Sequence, residues 1–159
     1  MIQRIQTLYI LLACILLVVC MCLPIGFFLT DEGERVANLY NLWLRYDPQF
    51  MVEGMKGISF RPWALFAVLL IASTLGFTNI FLFRRRALQM RICTFLILLL
   101  VGWYVVYGAF LYLVGSGLEA NFRPGWVAAL HFCSGVLMYL AFRGIMKDEM
   151  LVRSLDRLR

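Results

Sequence analysis

Apolar residues gather into four long blocks, and polar residues gather in the gaps between them. The blocks run from about 5–29, 63–83, 92–114 and 126–146. Each is close to or above the roughly 20 apolar residues that a helix needs to cross a bilayer. None contains Asp, Glu or Lys, and Arg143 stands near the end of the fourth, where its stem can snorkel to the interface. The pattern predicts an all-α membrane protein, a four-transmembrane-helix bundle forming a single domain over 1–159. The first block exceeds the roughly 7–15 apolar residues of a secretory signal, and no Ala-x-Ala pattern follows it, so it is expected to stay as a span. Pro24 lies in the outer part of that block. It removes a backbone donor and crowds the Cys20 carbonyl, which predicts a kink there.

The gaps differ in kind. The stretch 30–62 is too apolar to be disordered. Its two runs, Val36–Tyr46 and Gln49–Phe60, flank the turn-forming pair Asp47-Pro48. A short β-hairpin capping the bundle fits this pattern, with a short interfacial helix as the competing reading. Trp43 and Tyr46 make this loop a candidate surface for an outside partner, although aromatics at such depth also serve as headgroup anchors. Gly115-Ser116-Gly117 reads as a turn between spans three and four. After span four the helical pattern continues through 147–159, with Leu151, Leu155 and Leu158 at helical spacing among charges. This tail is expected to form an amphipathic helix that lies along the membrane or docks on a partner.

Charge placement sets the orientation. Ten of the fifteen Lys and Arg residues fall before span one, between spans two and three, or near and after the end of span four, with three acidic residues. The remaining five basic residues share the other side with six acidic ones. By the positive-inside rule, both termini are cytoplasmic and the 30–62 loop lies outside. Arg84, Arg85, Arg86 and Arg91 are read first as this topology signal and as candidate contacts for anionic lipid. Binding to nucleic acid, which the net charge of +6 could suggest, is the lesser reading. The chain is 63% hydrophobic and 15% charged, against about 25% charged in a soluble domain. The five cysteines all lie in apolar runs without a metal or disulfide spacing, and read as small packing residues.

Polar side chains inside lipid are costly, so each is a candidate site. In span two, Ala72, Gly76 and Asn79 share a face. Small residues let helices approach, and an amide can then bond across, so this face is first a packing surface and second a polar lining for a solute path. Span four carries a stripe of Gly125, Ala129 and Cys133 and another of Ala128, His131 and Gly135. His131 is the sole histidine. A bond to span three is its expected role, with Tyr104, Tyr107 or Tyr112 as partner, because one histidine cannot provide a bis-histidine haem site within one chain. No catalytic triad, phosphate loop or metal cluster is present in the sequence, so no enzyme activity, cofactor or metal is expected.

Three stretches carry a family resemblance. They are the opening Met1-Ile2-Gln3-Arg4-Ile5-Gln6-Thr7, the close of span two through Phe83-Arg84-Arg85-Arg86 to Arg91, and the ending Lys147-Asp148-Glu149 through Asp156-Arg157-Leu158-Arg159. With them the whole chain resembles the four-helix membrane proteins of Bacteroidota grouped as domain of unknown function 4293. The resemblance implies a bacterial inner membrane and a periplasmic loop, and it implies no catalytic residue. Three function classes fit. A non-catalytic accessory subunit that binds other membrane proteins ranks first, ahead of a small oligomeric transporter or channel. A lipid- or quinone-directed membrane enzyme using His131 and Arg143 ranks third. Expected partners are membrane lipid and either other membrane proteins or further copies of the chain.

Overall fold

A computed structural model describes residues 2–30, 33–50, 57–83, 85–118 and 121–156. Among these, four helices dominate: α1 (Ile2–Cys22), α2 (Trp63–Phe81), α3 (Arg86–Leu118) and α4 (Val127–Asp156). All four are long and apolar enough to cross a membrane. Each helix packs against the next, and α4 closes the ring against α1, the most extensive pairing in the bundle.

The buried positions explain this arrangement. In α4 they are Val127, His131, Ser134, Met138, Ala141, Ile145 and Asp148. The steps alternate four and three. The same alternation runs through Gln6, Ile10, Ala13, Leu17 and Cys20 in α1, and through Leu65, Leu69, Ala72, Gly76 and Asn79 in α2. A repeat of 3.5 keeps one seam of each helix facing its neighbours and produces knobs-into-holes packing. Outside that seam, side chains such as Leu98 and Val105 face away from the protein. Gly76 permits a close α1–α2 approach, since a Cβ there would lie 2.5 Å from Cys14 Sγ.

The protein is not all-α. Among the described residues, five strands form one antiparallel sheet: β1 (Gly26–Leu29), β2 (Arg35–Leu39), β3 (Leu44–Tyr46), β4 (Ile58–Ser59) and β5 (Asn121–Pro124), in the order β4-β3-β2-β1-β5. Four of them come from the α1–α2 connection and β5 from the α3–α4 connection, so the sheet caps the end where α1 and α3 finish. Phe28, Ala37, Leu39 and Leu44 turn from the sheet into the core, while Phe27 faces outward under the Arg35 guanidinium at 4.6 Å.

Pro24 therefore ends α1 instead of kinking it. The helix stops at Cys22, and Phe27-Phe28-Leu29, read above as the end of the first span, becomes a strand. The last helical bond runs from the Leu23 N–H to the Val19 carbonyl, and Pro24 has no N–H with which to continue the series. The hairpin expected in the 30–62 loop is present but larger and shifted. Val36–Tyr46 is itself folded back at Tyr40–Trp43, and Asp47-Pro48 opens a short 3-10 turn, with Gln49 N–H donating to Asp47 Oδ1. Gly115-Ser116-Gly117 is not a turn, because α3 continues to Leu118. The 147–159 tail continues α4 without a break as far as Asp156.

Candidate functional site

At the sheet end, the helix break makes a demand and a loop residue answers it. The proline at 24 leaves the Cys20 carbonyl without its usual i+4 donor. Asn41, at the β2–β3 turn and 1% exposed, donates from Nδ2 to that carbonyl at 2.6 Å. Its Oδ1 accepts from Trp103 Nε1 of α3 at 3.2 Å. One amide thus ties the sheet, the end of α1 and the middle of α3 together. Trp103 is the hub of an aromatic cluster, stacked on Tyr107 at 5.0 Å and on His131 at 4.2 Å, with Tyr104 set edge-on to both Trp103 and His131.

His131 does reach span three, but through backbone and ring faces. Its Nε2 lies 3.4 Å from the Leu100 carbonyl oxygen, and Nδ1 has no partner. Tyr104 donates instead to the Ala128 carbonyl at 2.9 Å, and the Tyr107 hydroxyl is buried without a partner. Tyr112 points outward, 80% exposed. Gly135 sits 3.9 Å from Leu100 Cδ1, measured from the Cβ it lacks, and lines a shallow outward-facing groove with Tyr104, His131 and Tyr139. The other small stripe of α4 behaves differently: Ala129 and Cys133 face away from the bundle.

The opposite end holds a second polar layer, one side chain from each helix: Gln6, Asn79, Gln89 and Asp148. Gln6 Nε2 donates to Asp148 Oδ2 at 2.8 Å, closing α1 on α4. Asn79 Nδ2 donates to Cys93 Sγ at 3.1 Å, and Gln89 Nε2 donates to the Asn79 backbone oxygen at 3.4 Å, closing α2 on α3. Asn79 Oδ1 has no partner. The face of Ala72, Gly76 and Asn79 is buried and packs as small-residue seams do. Beside this layer lies a concavity of about 480 Å³ lined by Arg85, Arg86, Ala87, Leu88, Arg91 and Glu149.

The remaining candidates are more dispersed. Trp43 and Tyr46 are half-buried, Trp43 beside the Tyr40 ring at 5.5 Å and Tyr46 against the core. Leu151 is exposed on the α4 extension. Arg84, Leu158 and the Leu155 side chain lie outside the described residues. Sequence reasoning missed Asn41, Gln6, Gln89 and Asp148. The signal for the last three was the four-three spacing that continues past each apolar block into polar residues. The signal for Asn41 was the carbonyl that Pro24 had to leave free. Among the described residues, no three His, Cys, Asp or Glu side chains gather as a metal site would require.

Four apolar helices with a seam of 3.5 periodicity, capped by a small sheet and closed by polar layers, define a membrane-type four-helix bundle. The chain belongs to the family described as domain of unknown function (DUF4293), whose model matches residues 2–158. No curated protein matches it.

Proposed function

We propose that the protein is a non-catalytic accessory subunit of a bacterial inner membrane, crossing it four times with both termini in the cytoplasm, and that it binds other membrane proteins. The observation that carries this reading is how the intramembrane polar groups are spent. Asn79 bonds to Cys93, Tyr104 bonds to the Ala128 carbonyl, and His131 is held against Leu100 and Trp103. Each ties helix to helix. A solute path would need such groups aligned along water. The proposed orientation is supported by Arg85, Arg86, Arg91 and Lys147 at the end opposite the sheet, since basic residues favour the cytoplasmic side. Binding of partners is supported by Met150, Leu151 and Val152, three consecutive apolar side chains exposed on the α4 extension.

The test is isolation of the tagged protein from its own membrane in a mild detergent, followed by mass spectrometry of what is retained. A stoichiometric membrane-protein partner is expected, and its loss in a Met150→Ser/Leu151→Ser variant would place docking on the α4 extension. A pure homo-oligomer that conducts a solute when reconstituted would replace this reading with the transporter.

A further inference from the structure

We propose that the concavity between the α2–α3 link and the α4 extension is a binding site for the phosphate of an anionic glycerophospholipid. Arg85, Arg86 and Arg91 line it, and among the described residues Glu149 is the one acid in its lining. The neighbouring acid, Asp148, turns inward to Gln6 and does not line the concavity. Three basic residues against one acid leave a surplus of positive charge among the described lining residues, and planar guanidinium forks match phosphate oxygens two at a time. Ala87 and Leu88 lie one turn before Arg91 on the same side of α3, so the phosphate would rest over the first turn of a long helix, whose free N–H groups add to the attraction.

Two features select a lipid over a dissolved anion. Apolar side chains flank the basic groups: Leu88 is part of the lining, and Phe81 and Phe83 are exposed along the same link. The concavity also opens where the apolar part of α2 ends, the level at which headgroups meet acyl chains if the helices span a bilayer. Arg86 is only half-exposed. The residue also lines a small gap with Gln6, Thr7, Phe83 and Gln89, at the join between the concavity and the buried polar layer. The α4 extension, which carries Glu149, is what turns a basic link into a concave site.

The decisive variant is Arg86→Lys/Arg91→Lys. It keeps every positive charge, and with it the topology signal, but removes the forked geometry. Delipidated protein in detergent would be titrated with short-chain phosphatidylglycerol, short-chain phosphatidylcholine and inorganic phosphate, with thermal unfolding as the readout. The expected result is a concentration-dependent upward shift with phosphatidylglycerol alone, and about a tenfold weaker half-point in the double-lysine variant. An equal shift with inorganic phosphate would make the site one for soluble anions, and an unchanged half-point in the lysine variant would reduce it to a diffuse charge patch. Either result overturns the proposal. If the variant does not fold, native mass spectrometry of the wild-type protein gives the answer directly. Retained anionic phospholipid, displaced by added phosphatidylglycerol but not by phosphatidylcholine, is expected, and a protein that retains only zwitterionic lipid or none would end the idea. Failure to find a protein partner leaves all of these readouts untouched, so the accessory reading and this one can fail separately.

Discussion

Asn41 and Asn79 are the same residue, both buried inside the bundle, and they are used very differently. Asn41 spends both ends of its amide, donating to the carbonyl of Cys20 and accepting from the indole of Trp103. Asn79 spends only its Nδ2, on the Cys93 sulfur, and its Oδ1 is left alone. At the sheet end, polar side chains repair backbone left open where a helix stops. At the other end, Gln6 meets Asp148 and Asn79 meets Cys93 side chain to side chain, and one bond, from Gln89, goes to backbone. A buried amide that repairs backbone is worth more than one that bonds to a thiol, because removing it strands groups that have no alternative.

The largest effect is therefore expected from Asn41→Leu, which leaves the Cys20 carbonyl and the Trp103 indole N–H buried and unpaired. Unfolding followed by denaturing-detergent titration should show a loss of about 3 kcal/mol. A loss below about 1 kcal/mol would erase the distinction between the two ends. Next comes Gly125→Ala. A methyl group there would lie 2.8 Å from the Ile25 carbonyl oxygen, which also accepts the Gly125 N–H at 2.7 Å. About 2 kcal/mol should be lost, together with hydrogen-exchange protection of the Gly125 amide. A variant as protected as the wild type would mean that the sheet end yields more easily than its contacts imply.

At the opposite end the effects should be smaller. Gln6→Leu removes the donor to Asp148 and should cost about 1–2 kcal/mol, with much of this recovered in Gln6→Leu/Asp148→Leu. A double variant no better than the single would show that the carboxylate has other work. Asn79→Leu should change stability least, by less than about 1 kcal/mol, because the lost bond to sulfur is offset by removing an unsatisfied oxygen. A loss as large as that of Asn41→Leu would sink the comparison.

Much of the bundle was legible in the chain. Four apolar blocks gave four helices, and Ala72, Gly76 and Asn79 proved to be a buried face, because burial in lipid and burial in protein both read as apolar runs broken by small residues. The boundary of the first block was not legible for the same reason. Phe27-Phe28-Leu29 is as apolar as the helix before it, and only Pro24 marks the change from helix to strand. β5 escaped notice because Asn121–Pro124 has too few residues to show alternation, and its strand character comes from β1 beside it. Of the polar site residues, His131 was found by its rarity within a span, and Tyr104 only as one of three span-three tyrosines within its expected reach. Asn41 was hidden because its importance depends on a carbonyl twenty-one residues earlier in the chain. The arginines were read as a topology signal and as candidate contacts for anionic lipid, but their concavity appears only once α4 is seen to run on past them.

The placement of β5 bears on the order in which the molecule can assemble. β1 lies inside the sheet, bonded to β2 on one side and to β5 on the other, yet β5 is not made until three of the four helices have been synthesised. A nascent chain that has inserted only α1 and α2 holds β1 with one edge open, and an open edge pairs readily with whatever strand it meets. Closure of the cap is thus a late, long-range event in biogenesis, and slow for that reason. A β5 strand from a neighbouring nascent copy would fit the same open edge, so prompt delivery of the chain's own second helical hairpin favours the correct partner.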